Sequence, residues 1–294
     1  MKYVYHLGVH KTASSLLQRN LNDNLAQLRA QRVFYVNAES PDIVQRQTRL
    51  LHQARGAADT GALKKLAQIN KQMAETARAA KARIVLVSDE TRLGPSMNLD
   101  LAAGATNPSF YPGAETSVMH MLGGLPLRNT RLLIYARNPE SYLLSLYSDA
   151  IREAQTTLDL EAFCRAVNFN SIDFDGLETR LRSLHRDLDI KTRQYERIKL
   201  GAETYLRTFL RDIGLDPKPF TLHTAPLRPQ LDATQVEALL HITAGGETKR
   251  PRLLKRLRDQ VLTHAPNPLA QLKLPEWVSD SMRVTAEGRA SDAA

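Results

Sequence analysis

A lysine and several hydroxyl residues lie close together near the N-terminus. Within six positions after the apolar run at residues 2–9, KYVYHLGV, come Lys11, Thr12, Ser14 and Ser15. Backbone N–H groups at the start of a helix, together with an ammonium group and hydroxyl donors, are the groups that bind a phosphate. These residue types at this spacing therefore predict a site for the phosphate of a nucleotide-like ligand.

The elements that would position this loop follow from hydrophobic patterning. The run at 2–9 has the composition of a buried strand, and apolar residues then recur at helical spacing over 16–28. The loop differs from the G-x-x-x-x-G-K-[ST] pattern of nucleoside-triphosphate loops, because Gly8 precedes Lys11 by only three positions and no glycine stands directly before the lysine. The shorter loop favours a ligand with a single phosphate at this point.

An arginine marks a second strand-to-helix junction. The run RLLIYA at 131–136 is a buried-strand pattern, and Arg137, Asn138 and Pro139 follow it before a helical pattern begins. Proline suits the first turn of a helix. Arg137 and Ser145 could face one anion, the arginine through charge-assisted hydrogen bonds. The alternative is a structural ion pair at Arg137 and a surface hydroxyl at Ser145.

Together the two junctions resemble the nucleotide-binding segments of sulfotransferases that use 3′-phosphoadenosine 5′-phosphosulfate (PAPS). The run HLGVHKTASSLLQ is similar to the 5′-phosphosulfate loop of that family, with Ala13 at a position where the family usually has glycine. The segment around Arg-Asn-Pro is similar to the family's 3′-phosphate segment. By this resemblance Arg137 and Ser145 would bind the 3′-phosphate, and the residues of the 5′-phosphate site would be Lys11, Thr12, Ala13, Ser14 and Ser15.

The resemblance also implies a fold and a reaction. It implies a P-loop NTPase-like α/β domain of the bacterial stand-alone type, with PAPS as co-substrate and no metal. The reaction would move a sulfuryl group to a hydroxyl or amine of a small-molecule or saccharide acceptor, in line with the departing phosphate. Lys11 would stabilise the charge on the leaving group.

Three residues are candidates for the base that takes the acceptor's proton. The third predicted strand, RIVLVSDE at 83–90, ends in a serine and two carboxylates. Glu90 is the first choice, because active sites of α/β folds gather at the carboxyl ends of strands. His10 is the second choice, since the adjacent positive charge of Lys11 favours a neutral imidazole. His120 is the third.

Two other functions remain open at this point. An apolar strand that ends in Asp89 and Glu90 also resembles the Mg²⁺-binding strand of a P-loop kinase or NTPase. The chain could instead be a non-catalytic relative that binds phosphonucleotides without turnover. In that case Lys11→Ala would lose ligand affinity although the wild-type protein turned over no acceptor.

The composition limits the location, the disulfide content and the partners that this chain can be expected to have. The chain has 294 residues, 43% of them hydrophobic, and a single cysteine, Cys164, which excludes an intramolecular disulfide. No apolar run is long enough for a membrane span, and no signal segment precedes the first strand, so a cytoplasmic location is expected. The net charge is +9, and the densest basic segment, Lys249–Arg258, predicts an amphipathic helix. Aromatic residues do not alternate with the basic ones, so no nucleic-acid partner is expected.

Strands alternating with helices predict an α/β fold with a parallel sheet between two helical layers. The expected strands are 2–9, 33–36, 83–90, 131–136 and 188–195, with helical elaboration in the C-terminal half. A single domain is expected over 1–282, followed by a flexible tail at 283–294. A loop at 98–116 would serve as a lid or substrate loop. The oligomeric state is not predicted.

Overall fold

A computed structural model describes residues 1–56, 60–94, 96, 110–244 and 251–292. Within these residues five parallel strands form one sheet in the order β2-β3-β1-β4-β5. The strands are β1 (Lys2–His6), β2 (Val33–Tyr35), β3 (Ile84–Ser88), β4 (Thr130–Ala136) and β5 (Asp189–Gln194). The predicted α/β class with a parallel sheet is therefore confirmed.

Helices make up most of the remaining described chain. They are α1 (Ser14–Asp23), α2 (Leu25–Ala30), α3 (Val36–Glu39), α4 (Pro41–Gly56), α5 (Thr60–Ala79), α6 (Ala114–Leu122), α7 (Pro139–Arg152), α8 (Leu160–Ala166), α9 (Phe174–Arg182), α10 (Ala202–Asp212), α11 (Ala233–Ala244), α12 (Pro251–Thr263) and α13 (Glu276–Asp292). Short 3₁₀ helices span Glu90–Leu93, Leu127–Asn129, Phe169–Ser171 and Tyr195–Leu200.

The described chain clusters into two compact units. The first lies within 1–97, 110–137 and 174–227 and contains the whole sheet, and the second lies within 138–173 and 228–292 and is helical. The predicted helical elaboration in the C-terminal half is the second unit together with α9 and α10. The single domain expected over 1–282 stays a prediction.

The strand order places the loop after β1 at the reversal point of the sheet. From β1 the chain builds β2 and β3 on one side, and it then crosses to build β4 and β5 on the other. In open parallel sheets, ligands bind beyond the carboxyl ends of the strands at the point where the order reverses. The loop that follows His6 therefore lies where an α/β fold binds its ligand.

Helices cover both faces of this sheet. On one face, alternate strand residues such as Val4 and Leu133 belong to a buried cluster with Leu17 of α1 and Phe209 of α10. The intervening strand residues point to the other face and are equally buried: Tyr3, Tyr5, Val85, Val87, Leu132 and Ile134. A parallel sheet buried on both faces is the expected three-layer arrangement.

The second unit has its own aromatic core. The rings of Tyr147 and Phe163 lie 5.0 Å apart, and Phe169 meets Trp277 edge-on at 5.7 Å. The backbone N–H of Leu231 donates to Ser148 Oγ at 2.8 Å inside this unit. The helix α7 also packs against α11 and α13, so the second unit is held together by both apolar and polar contacts.

Some expectations differ from the observed elements. The first strand ends at His6, because Gly8 turns the chain with a φ of 20°. The sequence did not predict α4, whose buried Gln47 interrupts the apolar pattern and donates to Asn70 at 2.6 Å. Of the loop expected at 98–116, residues 98–109 lie outside the described residues, and residues 114–116 are helical. Residues 283–292, expected as a flexible tail, are also helical.

Candidate phosphate-binding site

The loop between β1 and α1 contains three residues with positive φ. These are Gly8 at 20°, Lys11 at 67° and Ala13 at 58°. Left-handed residues alternating with right-handed ones turn successive backbone N–H groups toward one side, which forms a concave anion-binding nest. A lysine and an alanine in this conformation cost about 1–2 kcal/mol each, because Cβ approaches the following carbonyl oxygen. Non-glycine residues held in this conformation are often found at ligand-binding sites.

Gly8 is the position where a side chain cannot fit. A Cβ built there would lie 3.1 Å from Cε1 of His6 and 3.2 Å from Cβ of Ser14. Both neighbours are buried, so neither can move away cheaply. The close approach brings the loop down onto the end of β1 and fixes the start of α1.

The first turn of α1 is not capped by a side chain. Ala13 is the N-cap residue, and the first intrahelical bond runs from the N–H of Leu17 to the carbonyl of Ala13 at 3.1 Å. The N–H groups of Ser14, Ser15 and Leu16 precede that bond and have no intrahelical partner. They lie at the positive end of the helix dipole, where an anion is stabilised.

Replacing Ala13 by glycine tests the strain in this turn. We expect Ala13→Gly to raise the free energy of unfolding by about 0.5–1 kcal/mol, because glycine adopts the left-handed conformation without steric cost. Urea denaturation of the two proteins measures this difference. Ala202→Gly in the first turn of α10 is the matched control, since it should lower stability by a similar amount. A loss of stability in both variants would contradict the strain at Ala13.

Carbonyl groups of the loop are bound from inside the protein. Thr12 Oγ1 donates to the carbonyl of Val9 at 2.6 Å, and Tyr205 Oη of α10 donates to the carbonyl of Thr12 at 3.0 Å. The guanidinium of Arg137 donates to the carbonyl of Lys11. With these carbonyls held inward, the loop keeps the orientation in which its N–H groups can face an anion.

Arg137 brings the second predicted junction to the first. Its Cζ lies 4.5 Å from the ring centroid of Tyr195, and only 9% of the residue is exposed. Stacking on an aromatic ring and a bond to the Lys11 carbonyl fix the guanidinium beside the loop. Ser145 lies in α7 of the second unit and is half-buried. Whether it binds the same anion as Arg137 stays a prediction.

The carboxylates at the end of β3 have different partners. Asp89 caps the 3₁₀ helix after it: its Oδ1 accepts from the N–H and hydroxyl of Thr91, and its Oδ2 accepts from Arg92 Nε at 3.1 Å. Glu90 accepts from Gln18 Nε2 of α1 at 2.9 Å. Asp89 is thus engaged in a structural cap, and Glu90 is tied to the helix that begins at the phosphate loop.

His10 is oriented by a tyrosine that the sequence did not single out. Tyr111 Oη accepts from the backbone N–H of His10 at 2.9 Å and lies 2.7 Å from its Nδ1, and the two rings stack. The phenol is fully buried, whereas His10 is half-buried. Since Tyr111 holds the Nδ1 side of the ring, Nε2 is the nitrogen that can act on a ligand.

His6 is buried directly beneath the loop. Its Nδ1 is 2.8 Å from Ser88 Oγ, and its Nε2 has no hydrogen-bond partner among the described residues. Burial lowers the pKa of His6 from 6.5 to about 3. The side chain is therefore neutral at pH 7 and packs edge-on against Phe209 and Tyr135.

This lowered pKa predicts a loss of stability in acid. The unfolded state takes up a proton at His6 below pH 6.5, whereas the folded state resists until about pH 3, so the stabilisation present above 6.5 is lost as the pH falls. We expect this group alone to lower the free energy of unfolding by about 2 kcal/mol between pH 7 and 4.5. Urea denaturation at both pH values measures this decrease, which should be smaller in His6→Gln and unchanged in the control His52→Gln. An equal decrease in the wild-type protein and both variants would contradict the assignment of the pH dependence to His6.

The third candidate base, His120, is on α6, which packs against the 3₁₀ helix that begins at Glu90, and burial lowers its pKa. Cys164 is buried in α8. Within the second unit, Arg228 pairs with Asp149 of α7 and with Glu153, which directly follows that helix. The described residues include no group of three or more His, Cys, Asp or Glu that could hold a metal ion. In the described chain, none of the helices combines the length and apolar character that crossing a membrane requires.

Comparisons with known proteins give one structural likeness. No protein-family model and no curated protein matches the chain. The crystal structure of a sulfotransferase from Alicyclobacillus acidocaldarius is similar with a TM-score of 0.44 and 12% sequence identity, over 90% of this chain and 97% of that one. A likeness at this level does not establish a family.

Proposed function

We propose that the protein is a PAPS-dependent sulfotransferase. The observation that supports this most is the meeting of the two predicted junctions: Arg137 donates to the carbonyl of Lys11 within the loop that begins α1. The concave loop after β1 and the uncapped first turn of α1 therefore lie beside the guanidinium of Arg137, which is held in one position. A nucleotide with separate 5′- and 3′-phosphates needs two anion sites of this kind.

The proposed reaction is a single displacement at the sulfur atom of PAPS. The acceptor oxygen forms a bond to sulfur while the bond from sulfur to the bridging oxygen of the 5′-phosphate breaks. The products are the sulfated acceptor and 3′-phosphoadenosine 5′-phosphate (PAP), and the acceptor's proton passes to a base. Lys11 stabilises the charge that develops on the bridging oxygen, and the N–H groups of Ser14 and Ser15 hold the 5′-phosphate. The acceptor is a small-molecule or saccharide hydroxyl, or an amine, and the chemistry requires no metal.

Glu90 is the proposed base. A carboxylate that accepts from Gln18 keeps a second oxygen for the acceptor's proton, and Gln18 fixes it to the helix that follows the phosphate loop. His10 is placed differently, because Tyr111 Oη accepts from its backbone N–H and can then donate to Nδ1. In the neutral ring that pairing puts the proton on Nε2, which makes His10 a donor to the transferred group.

Glu90→Gln separates the role of the base from ligand binding. We expect it to slow transfer by about 10²-fold while PAP affinity stays unchanged, because glutamine can still accept from Gln18 but cannot take a proton. The rate of PAP formation from PAPS in single turnover, and PAP affinity by calorimetry, measure the two effects. Glu203→Gln, an exposed partner of Arg207, is the control. An unchanged rate in Glu90→Gln would assign the base elsewhere.

Thermal unfolding with nucleotides tests the proposed function first. A ligand present at 100 times its Kd stabilises the folded state by about 2.7 kcal/mol, which raises Tm by about 5 °C. We expect this shift with PAP, a much smaller one with AMP, and none with ATP and Mg²⁺. PAP differs from AMP only in the 3′-phosphate, so the difference reports the second anion site.

The other outcomes identify the competing functions. A shift with ATP and Mg²⁺ but none with PAP would overturn the proposal in favour of a kinase, although Asp89 is already engaged by Thr91 and Arg92. A PAP shift without PAP formation from PAPS would indicate a non-catalytic phosphonucleotide-binding protein. No shift with any of the nucleotides would overturn nucleotide binding itself.

A further inference from the structure

The side chain of Gln18 joins the helix after the phosphate loop to the carboxyl end of β3. Its Nε2 donates to Glu90 Oε2 at 2.9 Å and to the carbonyl oxygen of Ser88 at 3.2 Å. Side chains of an α-helix are inclined toward its N-terminus, so the Gln18 amide reaches back along the turn that begins at Ser14. Gln18 therefore connects the turn that offers N–H groups to a phosphate with the carboxylate of Glu90.

The position of Ser88 does not depend on Gln18. The Asn37 side chain binds its backbone twice: Nδ2 donates to the Ser88 carbonyl at 2.9 Å, and the N–H of Ser88 donates to Oδ1 at 3.0 Å. The Ser88 hydroxyl lies 2.8 Å from Nδ1 of His6, and the two residues are paired between β3 and β1. Because Ser88 keeps all these partners without Gln18, loss of the Gln18 amide should leave the end of β3 in place.

The backbone and the carboxylate of Glu90 are held by different residues. Asp89 accepts from the N–H of Thr91 at 3.0 Å and caps the 3₁₀ helix that begins at Glu90, which fixes the backbone. In the described part of the chain, Gln18 is the residue that donates a hydrogen bond to the Glu90 carboxylate. A glutamate side chain has several rotamers of similar energy, so this bond is what selects one of them.

We propose that Gln18 is the positioning residue for the base: it holds Oε2 of Glu90 and thereby leaves Oε1 to take the proton of the acceptor. This inference rests on the proposed function, because it assigns a role within the same reaction. A catalytic group acts efficiently when its orientation is fixed before the substrate arrives. A phosphate that fixes the first turn of α1 also fixes Gln18, so nucleotide binding and the orientation of the base are linked.

Gln18→Met removes the donor and keeps a side chain of similar length. We expect single-turnover formation of PAP from PAPS, with water as the acceptor, to slow by about 10-fold, because the carboxylate is no longer held in one orientation. PAP affinity by calorimetry should stay within about twofold of wild type, since the N–H groups of α1 still bind the phosphate. Damage to α1 itself would weaken PAP binding as well, so the two readouts separate positioning from a structural role.

Arg19→Met is the matched control for this variant. Arg19 is the next residue of α1, is exposed and pairs with Asp23 at 3.4 Å. Both the rate and the PAP affinity should be unchanged in Arg19→Met. A slower rate in this control equal to that in Gln18→Met would contradict a specific role of Gln18.

A double-mutant cycle with Glu90→Gln tests whether Gln18 acts through Glu90. We expect the double variant to be as slow as Glu90→Gln alone, because there is no longer a base to position. Losses that multiply in the double variant, or a rate in Gln18→Met within about twofold of wild type, would overturn this inference and leave the proposed function standing. Absence of PAP formation by the wild-type protein would overturn both.

Discussion

Replacing Lys11 by methionine is expected to slow PAP formation from PAPS by about 10³-fold. The ammonium is the group proposed to stabilise charge on the bridging oxygen, and removing one such contact typically costs about 10²–10³ in rate. Methionine keeps the length of the stem and has a similar cost in the left-handed conformation, where Lys11 has a φ of 67°. The loss should therefore come from the charge and not from a changed loop.

The design separates catalysis from binding. Single-turnover conversion of radiolabelled PAPS, with water as the acceptor, gives the rate without knowledge of the natural acceptor, and calorimetry with PAP gives the affinity. We expect PAP affinity to fall by no more than about 10-fold, because the N–H groups of α1 still hold the phosphate. Lys81→Met is the matched control, since Lys81 is an exposed lysine that also has positive φ. A rate within about threefold of wild type would remove Lys11 from the proposed mechanism.

Features encoded by neighbouring residues could be predicted from the sequence. The strand–loop–helix at the N-terminus and the junction at Arg137 were found because each is a hydrophobic pattern that changes its period at a polar residue. Even there, the left-handed conformation of Lys11 and Ala13 could not be foreseen, because residues other than glycine seldom adopt it. The strain follows from how the loop is held by its surroundings.

Residues that hold the loop from a distance in sequence were missed. Tyr205 reaches the carbonyl of Thr12 across 193 positions, and Tyr111 reaches His10 across 101. Neither tyrosine belongs to a local motif, because each role exists only once the fold brings α10 and the segment before α6 to the end of β1. The helix α4 was missed for a related reason: its buried Gln47 is satisfied by Asn70 on another helix, so the polar residue gave no sign of burial.

Replacing Arg137 by alanine should remove the preference for a 3′-phosphate. Two charge-assisted hydrogen bonds to one phosphate together correspond to about 100-fold in affinity. We therefore expect the Kd for PAP to rise by about 100-fold while the Kd for AMP rises by less than about fivefold. The small effect on AMP is expected because Arg137 also donates to the Lys11 carbonyl, and its loss loosens the loop for either nucleotide.

The ratio of the two affinities distinguishes ligand contact from support of the loop. A purely structural role would weaken PAP and AMP equally, since both place a 5′-phosphate on the loop, and that result would contradict a 3′-phosphate site at Arg137. Arg131→Ala is the matched control, because Arg131 lies at the opposite end of the same strand and pairs with Asp189 at 2.6 Å. Calorimetric titration of each variant with PAP and AMP supplies the ratio. If the affinity for PAP divided by the affinity for AMP falls in Arg137→Ala but not in Arg131→Ala, the second anion site lies at the carboxyl end of β4, where α/β folds bind their ligands.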